Sequence, residues 1–151
     1  MDLSFELRRI VEALDHAEVA YALVGGLAVS IYTAPRATED IDLFLTRDNL
    51  PRAVAALLPL GFRLAGDPMR VALGRLEIQR LIKVEGRDLL PVDLLVPVDT
   101  ALAALAQDSV SMPWEGRHIV VVGLASLRTL KRLRGSTQDR ADLEALGPDP
   151  V

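Results

Sequence analysis

The stretch that decides the fold is VGGLAVSIYTAPRATEDIDLFL, residues 24 to 45. It places an adjacent pair of glycines, Gly25 and Gly26, after a short apolar segment, and it places Asp40 and Asp42 in the next apolar run. Burying a carboxylate without a partner is unfavourable, so these two acids either lie at an exposed strand end or meet a positive charge. The function of the chain therefore depends on what the two carboxylates bind.

Composition excludes several classes of protein. The 151 residues suffice for one domain with a hydrophobic core, and half of them are apolar. The 17 basic residues are outnumbered by 21 acidic ones, which argues against a general nucleic-acid binder. The absence of cysteine excludes disulfides, thiolate catalysis and cysteine-type zinc sites. With no signal-peptide pattern at the N-terminus and no apolar run near the roughly 20 residues that span a bilayer, we expect a cytoplasmic protein without membrane contact.

Hydrophobic periodicity predicts an alternation of helices and strands. The order favours an α/β (α+β) fold, a small mixed sheet flanked by helices with further helices at the C-terminus. We expect one domain over 1–151, with a catalytic core of about 1–97 and a C-terminal part of about 98–147. Ser4 is the expected cap of the first helix. The predicted helices cover 3–17, 27–33, about 49–58, 100–106, 124–133 and 139–146, and the predicted strands cover 21–24, 40–45, 61–64, 76–84, 89–96, 109–114 and 118–122.

The glycine pair lies between a predicted strand and a predicted helix. Glycine permits close backbone approach and positive φ, and the free amides of a helix N-terminus bind phosphates. A simple tight turn is the alternative interpretation of Gly25 and Gly26. The pattern is neither the dinucleotide-binding fingerprint nor a Walker motif.

Two residues apart on a strand, Asp40 and Asp42 point to the same face and repel each other unless a cation lies between them. Mg²⁺ prefers oxygen ligands and binds one or two carboxylates together with substrate phosphates. A third acid, Asp93, lies in the apolar stretch LLPVDLLVP. If its strand neighbours that of Asp40 and Asp42, three carboxylates converge, which suits a two-metal site for phosphoryl or nucleotidyl transfer with Asp93 bridging or accepting the proton. The alternative is a strand-end acid before Pro97.

These motifs together resemble the signature of the nucleotidyltransferase superfamily. A Gly-Gly pair, thirteen residues, then Asp-Ile-Asp and a later lone Asp is similar in particular to the small AbiEii-like and MNT-like nucleotidyltransferases of toxin–antitoxin systems. Their Arg-x-Thr/Ser-x-Asp-h-Asp run is matched by Arg36, Thr38, Asp40 and Asp42. The C-terminal LASLRTLKRLRGSTQDRADLEAL, residues 124 to 146, is similar to the ending of the same group. One departure is Gly26, where many members have Ser.

The resemblance implies a nucleotidyltransferase fold, two Mg²⁺ ions held by the three aspartates, and an NTP such as ATP as donor. It also favours phosphate binding by the glycine pair and by Lys131, since lysine occurs only twice in the chain. For Arg36, contact with the triphosphate and neutralisation of Asp40 stay equally open. Thr38 either contacts the nucleotide or caps the strand.

The sequence thus predicts a Mg²⁺-dependent nucleotidyltransferase that moves NMP from an NTP to a hydroxyl of RNA, protein or a small molecule, within a toxin–antitoxin system. The alternative is a non-catalytic, partner-binding antitoxin of the same fold. The net charge of −4 disfavours a long RNA footprint. At this size, a protein partner or a homodimer is expected to complete the pocket.

Overall fold

The computed structural model describes residues 1–33 and 40–148. The α-helices in these ranges are α1 Leu3–His16, α2 Gly25–Tyr32, α3 Leu50–Leu57, α4 Thr100–Ala103, α5 Leu124–Arg134 and α6 Thr137–Leu146. The strands are β1 Ala22–Val24, β2 Ile41–Phe44, β3 Arg63–Leu64, β4 Met69–Val71, β5 Leu76–Glu85, β6 Asp88–Pro97, β7 Ser109–Trp114 and β8 Arg117–Val122. Short 3-10 turns are found at Arg47–Asn49, Leu58–Leu60 and Ala104–Gln107.

All eight of these strands join one mixed sheet in the order β3-β5-β6-β2-β1-β8-β7, with β4 paired to β5 beside this path. Strand β2 is central, parallel to β6 and antiparallel to β1. Strand β8 returns from the C-terminal part of the chain and pairs with β1 in parallel. The sheet therefore brings residues that are far apart in sequence to neighbouring positions around β2.

The hairpin of β5 and β6 is the longest pairing in the sheet. Ten residues of each strand pair from Leu76↔Pro97 to Glu85↔Asp88, and the connecting turn is Gly86-Arg87. Gly86 has φ +61°, which a two-residue hairpin turn favours and other residues avoid. Since the turn fixes the register, every cross-strand pair in the hairpin follows from it.

Helix α1 shows how an amphipathic pattern becomes a packed face. Leu7, Ile10, Val11 and Leu14 recur at helical spacing and are all buried. The cap is Asp2, whose carboxylate accepts a hydrogen bond from the amide of the residue three positions later at 3.1 Å. The prediction that Ser4 caps this helix is wrong, because the helix already begins at Leu3 and the acid before it is in capping position.

The predicted fold class, a mixed sheet flanked by helices with helices at the C-terminus, is confirmed. Helix α2 starts at Gly25, two residues earlier than predicted, and α6 starts at Thr137, also two residues earlier. The strand Met69–Val71 was not predicted, because only three residues pair there and two of them are exposed. No helix in the described residues is long and apolar enough to cross a membrane.

Candidate active site

A cavity of about 480 Å³ opens beside the central strands, between the start of α2 and the junction of α5 with α6. Every predicted site residue within the described ranges lines it: Gly25, Gly26, Asp40, Asp42, Asp93 and Lys131. Arg36 and Thr38 lie outside the described residues, so their roles stay predictions. Five polar neighbours that were not predicted as site residues also line the cavity: Arg80, Arg134, Ser136, Gln138 and Asp139.

The strand pairing places two of the carboxylates side by side. Asp42 on β2 is the direct partner of Asp93 in the parallel ladder with β6. On the other side of β2, Asp42 is opposite Val24, the residue before the glycine pair. Equivalent positions of neighbouring strands point to the same face, so the aspartates and the start of α2 meet at one end of the cavity.

Gly25 is required by this close approach. Its φ is +69°, a left-handed conformation, and a Cβ placed on it would lie 2.1 Å from Oδ2 of Asp42. Any side chain would therefore collide with the carboxylate as well as strain the backbone. The first glycine of the pair thus lets α2 begin directly against Asp42.

Asp42 is the electrostatically unusual acid of the site. No hydrogen bond or ion pair joins its carboxylate to any residue within 1–33 and 40–148. Burial, followed by the nearby charges of Asp93 and Asp40, raises the pKa of Asp42 to about 7, although Arg134 and Lys131 act in the opposite direction. The carboxylate end of the cavity is therefore short of positive charge, and a bound cation would stabilise it.

Asp93 has a partner that the sequence interpretation missed. Arg80 donates from Nε to Oδ1 at 2.8 Å and from Nη2 to Oδ2 at 2.9 Å, a bidentate pair. The hydrogen bond with Asp93 raises the pKa of Arg80, so this guanidinium is charged. The signal was present in the sequence: a turn at Gly86-Arg87 pairs Arg80 with Asp93 across the hairpin. The alternative of a strand-end cap before Pro97 is excluded, because Asp93 lies within the strand.

Lys131 lines the cavity, but its charge is already engaged. Its ammonium lies 2.9 Å from Oδ1 of Asp139 and 2.8 Å from Oδ2 of Asp142, both on α6. Asp139 also forms a capping box with Ser136 at the start of α6. Burial raises the pKa of Asp139, but the hydrogen bond from Ser136 and the charge of Lys131 outweigh it, so the net shift is downward. Lys131 therefore ties α5 to α6, and its contact with nucleotide stays a prediction.

The three arginines of α5 differ in burial and in whether they line the cavity. Arg128 is buried and donates to the carbonyls of Leu146 and Gly147 at 3.0 and 3.2 Å, which holds the end of α6. Arg132 is exposed. Arg134, in the last turn, is exposed and borders the cavity.

The donor set of the cavity fits a hard divalent cation. Within residues 1–33 and 40–148, no three His, Cys, Asp or Glu side chains lie close enough together to form a closed metal site. Asp40, Asp42 and Asp93 nevertheless line the same cavity, and Mg²⁺ commonly takes only one or two protein carboxylates beside substrate phosphates. These carboxylates are therefore the residues that would hold it.

Several solved structures are similar to this chain over most of its length. The antibiotic-resistance factor ANT(2'')-Ia, in complex with adenylyl-2''-tobramycin, matches with a TM-score of 0.62 and 17% identity over 93% of this chain and 84% of its own. The lincosamide antibiotic adenylyltransferase LnuA, bound to lincomycin, matches with a TM-score of 0.62 and 17% identity over 94% of both chains. A candidate nucleotidyltransferase from Thermotoga maritima, TM1012, matches with a TM-score of 0.64 and 12% identity over 91% of this chain and 88% of its own.

No protein-family model matches the sequence, and a search of curated sequences finds no match. At these low identities the structural matches establish the architecture. The chain has the nucleotidyltransferase fold.

Proposed function

We propose that this protein is a nucleotidyltransferase that moves a nucleoside monophosphate from an NTP to an acceptor hydroxyl. The observation that carries the proposal is the direct pairing of Asp42 with Asp93 at the cavity wall, beside the glycine pair. Adjacent carboxylates repel each other, and Asp42, which is partly buried, has no positive partner among the described residues, an arrangement that is costly for a fold unless a cation binds. In a cavity beside a helix N-terminus, a metal–triphosphate complex satisfies both the carboxylates and the helix amides.

The three aspartates have distinct positions in this proposal. Asp42 on β2 and Asp40, directly before that strand, would hold the divalent ions, which we take to be two Mg²⁺, while Asp93 would share in holding them or accept the proton. When bound, Mg²⁺ would neutralise phosphate charge and make the acceptor hydroxyl more acidic. The backbone amides at Gly25 and Gly26 face the phosphates.

The reaction is a single displacement at the α-phosphorus. A bond forms between the acceptor oxygen and the α-phosphorus, the bond to the leaving pyrophosphate breaks, and the hydroxyl proton passes to a carboxylate of the site. An ionised carboxylate has about four lone-pair positions, of which Arg80 uses two on Asp93. Asp93 therefore retains acceptor capacity while Arg80 fixes its orientation.

The compared structures suggest which acceptors to test first. ANT(2'')-Ia was captured with adenylylated tobramycin and LnuA with lincomycin, both small molecules. We accordingly propose a small alcohol as the first acceptor class and ATP as the first donor, with RNA and protein hydroxyls next. Membership of a toxin–antitoxin system, and completion of the cavity by a partner chain or a second copy, remain parts of the proposal that rest on the sequence resemblance.

One observation favours a second candidate function. Each oxygen of Asp93 already accepts a hydrogen bond from Arg80, and no closed metal site exists among the described residues. A non-catalytic, partner-binding protein of this fold would tolerate that arrangement permanently. It would bind another protein stably and show no Mg²⁺-dependent nucleotide binding.

The experiment incubates the protein with each α-³²P-labelled NTP, Mg²⁺ and either candidate small alcohols or a cell extract. The proposal expects a labelled product with the wild-type chain and none with Asp42→Asn or without divalent metal. The chemical identity of the labelled species then names the acceptor class. Transfer by Asp42→Asn at the wild-type rate, or no transfer by the wild type with any NTP and extract, would contradict the proposal.

A further inference from the structure

Among the residues that the structure describes, three cations line the cavity, and two of them are paired with carboxylates. Arg80 pairs with Asp93 through two hydrogen bonds. Lys131 pairs with Asp139 and with a second acid of α6. Arg134 forms neither a hydrogen bond nor an ion pair with any residue in the described ranges. Of the cavity cations within 1–33 and 40–148, it is thus the one whose charge is available to a ligand.

The position of Arg134 explains what kind of ligand it can meet. It is in the last turn of α5, before Gly135, which ends the helix in a left-handed conformation with φ +61°. Its positive charge lowers the pKa of Asp42, although no hydrogen bond or ion pair joins the two side chains. A cavity lined by both the carboxylate of Asp42 and the guanidinium of Arg134 suits a ligand that carries a positive and a negative group.

A cation in the last turn of a helix also has an ordinary explanation, because it interacts favourably with the helix dipole. That explanation applies equally to Arg132, which is exposed in the same turn but does not border the cavity. What distinguishes Arg134 is the combination of cavity position and absence of a partner within the described residues. The dipole explanation accounts for neither.

We propose that Arg134 binds the β- and γ-phosphates of the NTP, an inference that rests on the nucleotidyl-transfer function proposed above. The α-phosphate must lie beside the metal-holding aspartates, because the reaction occurs there. Arg134 contacts none of those carboxylates, so it meets the part of the triphosphate that extends away from them. Asp42 would hold the metal ion that neutralises phosphate charge, Arg134 would neutralise the remaining charge, and the planar fork of arginine matches phosphate oxygens.

The test measures binding rather than turnover. Titration calorimetry compares α,β-methylene-ATP, which resists transfer, with AMP, both in the presence of Mg²⁺. Arg134→Ala should weaken binding of α,β-methylene-ATP by about ten- to a hundredfold and leave AMP binding within about twofold of wild type. Arg134→Lys should retain part of the affinity, since the charge remains and the fork is lost. Arg132→Ala, from the same helix turn, is the matched control and should bind both ligands as the wild type does.

Two results would overturn the assignment of Arg134: unchanged α,β-methylene-ATP affinity in Arg134→Ala, or an equal loss for AMP and for the triphosphate analogue. Thermal unfolding of Arg134→Ala and Arg132→Ala at the same midpoint excludes a folding defect as the cause. The outcome separates the two proposals. Selective loss in Arg134→Ala without any transfer by the wild type would support the phosphate contact and refute the enzymatic activity. Transfer by the wild type with unchanged binding in Arg134→Ala would do the reverse.

Discussion

Asp42 and Asp93 are direct neighbours in the parallel ladder between β2 and β6, although 50 residues separate them along the chain. This pairing turns an isolated Asp-Ile-Asp and a distant acid into one cluster at a cavity wall. Burial and the neighbouring acids disfavour the charged form of Asp42, so an ionised Asp42 destabilises the folded protein in the absence of a cation.

The stability of the metal-free protein should depend on the charge of Asp42. Its folded-state pKa of about 7 lies above the ordinary value of 3.8, so the folded state binds this proton more tightly than the unfolded state. The free energy of unfolding should therefore fall as pH rises from about 4 to about 7, by at most about 4 kcal/mol from this group. Asp42→Asn removes that loss. Urea denaturation in chelator should show a variant-minus-wild-type difference that grows over this range, and a constant difference would refute the prediction.

Gly25→Ala should damage the site beyond its cost in backbone strain. Alanine at φ +69° costs about 1–2 kcal/mol, and its Cβ would in addition displace the carboxylate of Asp42, 2.1 Å away. Gly66→Ala is the control, because Gly66 has φ +79° and nothing within 4 Å of the added Cβ. Unfolding measurements should show the larger loss for Gly25→Ala, and Mg²⁺-dependent nucleotide binding should fail in that variant alone. Equal behaviour of the two variants would show that the close approach to Asp42 is unimportant.

Lys131→Met should destabilise the protein strongly. It removes the cation from two buried carboxylates, Asp139 and Asp142, and breaking a buried ion pair from one side costs about 3–5 kcal/mol. Arg132→Met, exposed on the same helix, should change the free energy of unfolding by less than about 0.5 kcal/mol. Denaturant unfolding at neutral pH measures both. A Lys131→Met variant as stable as the control would mean that the ammonium does not hold α5 to α6.

Arg80→Gln should impair transfer because Arg80 orients Asp93. Loss of such a supporting contact to a metal-site carboxylate typically reduces activity or metal affinity about 10- to 100-fold. Arg75→Gln is the matched control: Arg75 pairs with Asp99 outside the cavity, and the side chains of Arg75 and Arg80 are 42% and 41% exposed. Arg75→Gln should lower stability by about 1 kcal/mol or less, because Asp99 is exposed, whereas Arg80→Gln should cost more, because it leaves the buried carboxylate of Asp93 without its cation. The prediction fails if the two variants lose transfer activity to the same extent.

Part of this site was predictable from sequence because strand geometry is regular. The spacing of Asp40 and Asp42 predicted that both would point to one site, and both line the cavity, although Asp40 lies just before β2. The apolar sequence around Asp93 indicated that this acid has a specific role. The hairpin turn at Gly86 also fixes the partner of Asp93, so Arg80 could have been found by counting back from the turn.

Other features depend on packing that no local pattern encodes. The engagement of Lys131 by two acids of α6 requires the angle between two helices, which neither helix specifies alone. The three-residue strand Met69–Val71 exists because β5 offers it an edge, and its own residues are mostly exposed. The need for glycine at position 25 arises from the close approach of Asp42, which lies on the adjacent strand β2 and not beside Gly25 in sequence.

The central claim is that the carboxylates of Asp40, Asp42 and Asp93 gather around divalent metal when nucleotide is present. The most direct measurement is anomalous scattering from crystals grown with Mn²⁺ and α,β-methylene-ATP. The account predicts Mn²⁺ within about 2 Å of oxygens from these aspartates and from the phosphates. Nucleotide bound in the cavity with no metal at these carboxylates, or Mn²⁺ located only elsewhere on the protein, would contradict it.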